Sequence, residues 1–165
     1  MKKILLAILL MAPLSIFAQK FAHYDASAIV PNMKEYAAAQ TEIETLAKQF
    51  EDDIQHMQEE FQKKLEDYKK QEANLLDNVK QRRMAELQQL DQNLQQAAQD
   101  NQQAFQKAQS EKLQAIQELL MAAVKKVGEA GGYVYIIDTS VGAIPFVNPT
   151  LSTDVTADIK KALGM

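Results

Sequence analysis

The apolar positions of the central chain recur at a fixed interval. Ile43, Ile54, Leu65 and Leu76 lie eleven residues apart, as do Leu46, Met57, Tyr68 and Val79, with Phe50 and Phe61 between them. Eleven residues over three turns is about 3.67 per turn, near the straight α-helix and slightly right-handed, so the pattern predicts one long apolar stripe and not a left-handed heptad seam. A second stripe follows: Leu94, Phe105, Ile116 and Val127 are again eleven apart, flanked by Leu87, Leu90, Ala98, Leu113 and Leu120. Every proline and glycine lies outside Met33 to Val127, a stretch dominated by Ala, Gln, Glu, Lys and Leu, so helix is expected throughout it.

Between the stripes, Ala73-Asn74-Leu75-Leu76-Asp77-Asn78 offers a reversal near residues 74–78. Asp77 or Asn78 can cap a new helix there, and Asn tolerates turn geometry. The arms then run from Met33 to about Leu76 and from about Val79 to Val127, each roughly 65–75 Å long at about 1.5 Å per residue. Equal arms favour an antiparallel hairpin. Folding at the reversal sets Phe50 opposite Phe105, Phe61 opposite Leu94, Leu65 opposite Leu90 and Tyr68 opposite Leu87, apolar against apolar. The competing arrangement, one uninterrupted helix in a parallel coiled coil, lacks the heptad it requires.

The pattern changes at both ends. Lys20 to Asp25 alternates as a short strand would. Tyr133 to Asp138 is a stronger strand, entered by Gly131-Gly132 and dense in β-branched and aromatic residues. Ala143 to Val147 reads as a third strand, with Pro145 placing it at an edge. Thr153 to Leu163 offers a short closing helix ending at Gly164. The expected organisation is a helical hairpin over 33–127 and a small β-rich body from 19–32 and 128–165. Three short strands bury little by themselves, which is a physical reason for the body to associate with further copies.

The first eighteen residues read as an export signal. Met1-Lys2-Lys3 is a positive start, Ile4 to Ala12 an apolar run, and Pro13 to Ala18 leads to a cleavage point before Gln19. The run is shorter than the roughly 20 residues a bilayer span needs. No Cys follows it, so a lipid-anchored form is not expected. Export would place the chain in the periplasm, without ATP.

Composition narrows the chemistry. The 165 residues contain no Cys, no Trp and two His. Disulfides, thiolate metal sites and a Cys nucleophile are therefore excluded. The net charge of −4 argues against nucleic-acid binding, which needs a basic surplus. No Gly-rich phosphate loop, GxSxG elbow or paired His motif occurs, so neither cofactor nor enzymatic activity is expected. His56, among Asp52, Asp53, Glu59 and Glu60, is read as part of a solvated face, since one His makes a poor metal site.

Charge is distributed in blocks. Met33 to Glu60 carries two Lys against eight acidic residues, whereas Phe61 to Arg83 carries seven basic residues against four acidic. The hairpin thus has an acidic root and a basic tip made by Lys63, Lys64, Lys69, Lys70, Lys80, Arg82 and Arg83. These cations form either an ordinary solvated surface or a contact zone for anionic lipid or acidic client segments. Gln fills twelve of the thirty positions from Gln88 to Gln117, interleaved with helix-periodic apolar residues as an uncharged wet face. Phe50, Ile54, Met57, Phe61, Leu65, Leu94 and Phe105 are the candidate apolar contact stripe.

The Gly132 to Asp138 strand, the closing Asp154-Val155-Thr156-Ala157-Asp158-Ile159 segment and the breaker-free hairpin between a short first strand and these elements closely resemble the Skp/OmpH family of periplasmic chaperones. The resemblance covers the whole chain after the export signal. It implies a mainly α fold with a small β body, assembled as a jellyfish-shaped homotrimer whose helical tentacles enclose a cavity. It also implies that the protein holds unfolded outer-membrane β-barrel proteins in transit. By position, Phe21, Tyr24, Tyr133, Tyr135 and Ile137 would belong to the oligomerisation body, and Phe50, Phe61 and Phe105 to the tentacle. This chain is acidic where the better-known family member is strongly basic, which weighs against purely electrostatic client capture. The alternative function is a structural spacer or scaffold of the cell envelope.

Overall fold

A computed structural model describes residues 19–165, and the export signal expected at 1–18 lies outside them. The described residues divide into two units, one formed by 31–119 and the other by 19–30 with 120–165. The fold is mainly helical with one small sheet, as the sequence pattern predicts.

Within residues 31–119, helix α2 spans Lys34–Gln71. A 3-10 turn covers Glu72–Asn74, and α3, which begins at Asp77, continues beyond residue 119 to Gly131. Extended backbone at Leu75 stops the turn, and the Leu76 carbonyl then accepts the Val79 and Lys80 amides at 2.9 and 3.0 Å, which starts α3. The two helices run antiparallel, tied by ion pairs from Lys112 to Glu42 and from Lys64 to Glu86. Ala39, Tyr68, Leu87 and Ile116 are buried along their seam, while Ile43, Leu46, Phe50, Ile54, Met57, Phe61 and Leu65 on α2 are half-buried. Spacings of three and four residues keep these positions on one face, as an eleven-residue repeat requires.

The second stripe needs correction. On α3 the inward positions are Leu87, Leu90, Leu94, Ala97, Asn101, Phe105 and Ala108, whereas Ala98 faces outward and Leu113 is an exposed flank of the seam. The three-then-four advance carries Ala97 and Asn101 into the seam and leaves Ala98 beside it. Leu76 also departs from its stripe: it sits in the reversal, exposed, where no helix continues the period.

Helix α3 runs past Val127 because its glycines serve packing and not termination. A Cβ at Gly128 would lie 3.3 Å from Ile136 Cδ1, and one at Gly131 would lie 2.2 Å from the Tyr133 ring. Gly132, with φ of +65°, makes the left-handed exit that L side chains rarely adopt.

In the other unit, β1 (Lys20–Tyr24) is the central strand of three, between β2 (Tyr133–Asp138) and β3 (Ser152–Asp154), and both pairings are parallel. The expected strand at Ala143–Val147 does not form. Pro145 supplies no N–H and Phe146 stands in solvent, so that segment is irregular. A turn instead sets up β3: the Thr150 amide and hydroxyl donate to Asn148 Oδ1, and the Leu151 and Ser152 amides donate to the Asn148 carbonyl. Short helices α1 (Ala26–Ile29) and α4 (Thr156–Ala162) complete the unit. The closing helix therefore starts three residues later than expected, after β3 has used Thr153 and Asp154.

One face of the sheet is covered. Ala22 and Tyr24 of β1 are buried, as are Ile29 of α1 and Val155 and Ile159 beside and within α4. Asp25 caps α1 by accepting the Ser27 amide at 2.9 Å, and Asp154 Oδ1 accepts the Thr156 amide at the start of α4 at 2.9 Å. Asp138 ties the end of β2 to α1 by accepting the Ala26 amide at 3.3 Å.

Candidate functional site

Among the described residues no group of three or more His, Cys, Asp or Glu side chains is placed to hold a metal. No described helix is long and apolar enough to cross a membrane. His56 is exposed on α2. His23 has a structural partner: its Nδ1 lies 2.9 Å from Ser152 Oγ, which links β1 to β3. The features that stand out are surfaces.

The first lies near the helix reversal. Lys64, Arg82 and Arg83 line a cleft together with Asp67, Tyr68 and Glu86. The carboxylates temper the cations. The hydrogen bond from Lys64 holds the Glu86 carboxyl below its usual range, and the same bond raises the Lys64 ammonium. Tyr68, raised by burial and then by the Glu72 charge, donates its hydroxyl to Glu72 Oε1 at 3.2 Å. The seven basic residues expected at the tip have different settings. Lys63 and Lys69 are exposed, Lys70 lies 3.7 Å from Glu66, and Lys80 lines a separate groove.

That groove is apolar. Phe61 and Leu65 of α2 and Met84, Ala85 and Leu87 of α3 form its walls, with Lys80 and Asp91 among its polar residues. A smaller cleft of about 270 Å³ is lined by Tyr36, Ile43, Leu113 and Ile116. The candidate stripe residues Phe50, Ile54, Met57, Phe61, Leu65, Leu94 and Phe105 are all half-buried: helix pairing covers one side of each and leaves the other accessible. Exposed apolar side chains on the α3 stretch of this unit, namely Met84, Leu113 and Leu119, are additional candidates. The period singled out only the stripe. The available signal for these others was an apolar residue standing off that period.

The second surface is the other face of the sheet. Phe21 and Tyr135 are register partners on β1 and β2, and their rings stack there. Tyr135 is 64% exposed. His23 pairs in register with Ile137, so Ile137 shares this face and is half-buried. Tyr133 is half-buried beside Gly131. Tyr24 lies on the covered face, where burial raises its phenol, with the Asp138 charge adding to the effect. Val141, Phe146 and Leu151, in the segment between β2 and β3, are also exposed.

No curated protein matches the chain significantly. In structure, it is similar to a proposed outer membrane chaperone (OmpH-like) from Caulobacter crescentus CB15, with a TM-score of 0.74 at 15% identity. That likeness covers 88% of this chain and 83% of the other. The outer membrane protein (OmpH-like) family matches residues 20–163, which take in the sheet and both long helices. The chain belongs to the OmpH-like outer membrane protein family.

Proposed function

We propose that this protein is an ATP-independent holdase of the periplasm that binds unfolded outer-membrane β-barrel proteins in transit and prevents their aggregation. Export would be directed by residues 1–18 and completed by cleavage after Ala18. The observation that carries the reading is the half-covered seam of α2 and α3, where apolar side chains are neither buried nor fully exposed over many turns. Each accessible flank offers an unfolded chain a weak contact, and many weak contacts sum through effective concentration into a firm but unselective hold. Membership of the OmpH-like family supports the same reading, as does the chaperone description of the Caulobacter protein.

The working form in this reading is a homotrimer. Parallel sheets are ordinarily covered on both faces, and here the described residues leave Tyr135 on the Phe21/Tyr135 face largely exposed. Further copies of the chain would cover it, joining the bodies formed by 19–32 and 128–165. The arms over 33–127 would hold the client. The basic residues near the reversal would add peripheral contact with anionic lipid or acidic client segments.

The decisive experiment dilutes a urea-denatured outer-membrane protein into buffer with a small molar excess of the mature chain and no nucleotide, and follows light scattering. Suppressed scattering is expected. Unchanged scattering would refute holding and favour the alternative, an envelope spacer that sets a distance and binds no client. Native mass measurement should give three copies.

A further inference from the structure

Sulfur chemistry in this chain is confined to seven methionines, since there is no cysteine. Their settings differ. Met33 is buried and Met57 is half-buried in the seam, while Met84 and Met121 are 51% and 53% exposed on α3. An oxidant in solvent therefore reaches the last two about equally. Only their surroundings distinguish the outcome, because Met84 is a wall of the groove shared with Phe61, Leu65 and Leu87 and Met121 stands outside that groove.

The groove has a defined occupant in the client-holding reading. Lys80 and Asp91 supply opposite charges eleven positions apart on α3, a span of roughly 16 Å at the helical rise. About five residues of extended chain cover that distance. An alternating β-barrel segment fits: its apolar side chains would face Phe61, Leu65 and Met84, with an acidic residue toward Lys80 and a basic one toward Asp91. A thioether suits such a wall because it is apolar, polarisable and adaptable. A sulfoxide does not, because its polar S–O group resists the loss of water that docking imposes.

Resting on the holding reading, we propose that Met84 is an oxidant-sensitive modification site, at which a peroxide-class oxidant converts the thioether to the sulfoxide and weakens the groove's hold on apolar client segments. The sulfur lone pair attacks one peroxide oxygen. The S–O bond forms as the O–O bond breaks, sulfur gives up two electrons, and the second oxygen leaves as water after taking the proton of the transferred one. The same reaction at Met121 leaves the groove intact.

The test treats the mature chain with hydrogen peroxide and maps methionine oxidation by peptide mass. It then compares oxidised with reduced protein in two assays: protection of a urea-diluted outer-membrane protein, and binding of the uncharged apolar fluorophore N-phenyl-1-naphthylamine. Met84 and Met121 should each gain one oxygen while Met33 does not. The concentration giving half protection should rise roughly threefold on oxidation. That oxidised-to-reduced ratio should fall to about one in Met84→Leu and persist in Met121→Leu. The proposal is overturned if Met84 resists oxidation under conditions that convert Met121, if full conversion leaves the ratio at one, or if Met84→Leu keeps the sensitivity. Reduced protein that never protects the client would refute the holding reading itself, and the fluorophore would then judge the site: a loss of affinity on oxidation that Met84→Leu abolishes supports it, and any other result overturns it.

Discussion

Phe21 on β1 and Tyr135 on β2 stack with ring centroids 6.3 Å apart and planes 10° from parallel, on a sheet face where Tyr135 stands largely exposed. The pair joins strands that are far apart in the chain and register partners in space. An aromatic pair adds about 0.5–1.5 kcal/mol beyond its area burial. Phe21→Ala should therefore lower unfolding stability by about 1–2 kcal/mol, read from the urea midpoint. In the proposed trimer the variant should also dissociate at higher protein concentration than the parent. An unchanged midpoint and unchanged mass would show that the ring pair carries neither task.

The ion pair from Lys64 to Glu86 ties α2 to α3 near the reversal, and its pH dependence has a definite sign. Glu86 titrates below its ordinary value of 4.5 in the folded chain, so its contribution is present above that pH and disappears as pH falls through the lowered folded value. Lys64 is raised above its ordinary 10.5, so its contribution is lost only as pH rises through the folded value. Glu86→Gln should therefore unfold at lower urea than the parent at pH 7, with the difference closing in strong acid. The gap is expected to be small, because both side chains are substantially exposed.

Ile159 and Val155 anchor α4 and are fully buried. Ile159→Ala should destabilise the protein by about 2–5 kcal/mol through lost burial and the cavity left behind. Asp154→Ala should cost about 1 kcal/mol, since it removes the acceptor for the Thr156 amide. Hydrogen bonding from Thr156 lowers the Asp154 carboxyl below 3.8, so this effect should fade as pH drops through the lowered folded value. Urea melts of both variants at pH 7 and in acid would check the order.

Gly132 has φ of +65°, with open space where a Cβ would project. Gly132→Ala should thus cost about 1 kcal/mol through backbone strain alone. Gly131→Ala should act differently, because the new Cβ falls 2.2 Å from the Tyr133 ring and must displace it. A change in Tyr133 ring signals by NMR, seen in Gly131→Ala and absent in Gly132→Ala, is the expected result.

In the holding mechanism no single apolar contact dominates. Phe50→Ala or Phe105→Ala should therefore change client affinity by well under tenfold, while a change that breaks the body should abolish it. Fluorescence titration with an unfolded outer-membrane protein measures this. A tenfold loss from one such substitution with the oligomer intact would point to a localised site.

Much of the helical architecture was legible because a long period survives local noise. The eleven-residue repeat marked the α2 face from Ile43 to Tyr68, and the absence of breakers marked the long helices as far as Val127, although α3 continues through Gly128 to Gly131. It misjudged α3 at Ala97, Ala98 and Asn101, where small and polar side chains blur which of two adjacent positions turns inward. The sheet was legible at β1 and β2, where alternation and β-branched density were strong. At the third strand, local propensity favoured Ala143–Val147, but pairing depends on which segment can present donors to the free edge of β1. Ser152–Asp154 does so, with Ser152 additionally held by His23. The groove at Met84 stayed hidden for a related reason, since it is a product of two helices meeting and not of either pattern alone.

The position of β1 at the middle of its sheet has a consequence in time. Both of its neighbours come from the last part of the chain, and the Tyr24 carbonyl waits for a donor 115 residues further on. The helices can zip locally outward from their reversal, whereas the strands can close only when nearly the whole polypeptide has been delivered. A molecule still emerging from a ribosome would thus complete its long helices well before its sheet, which must await the last residues.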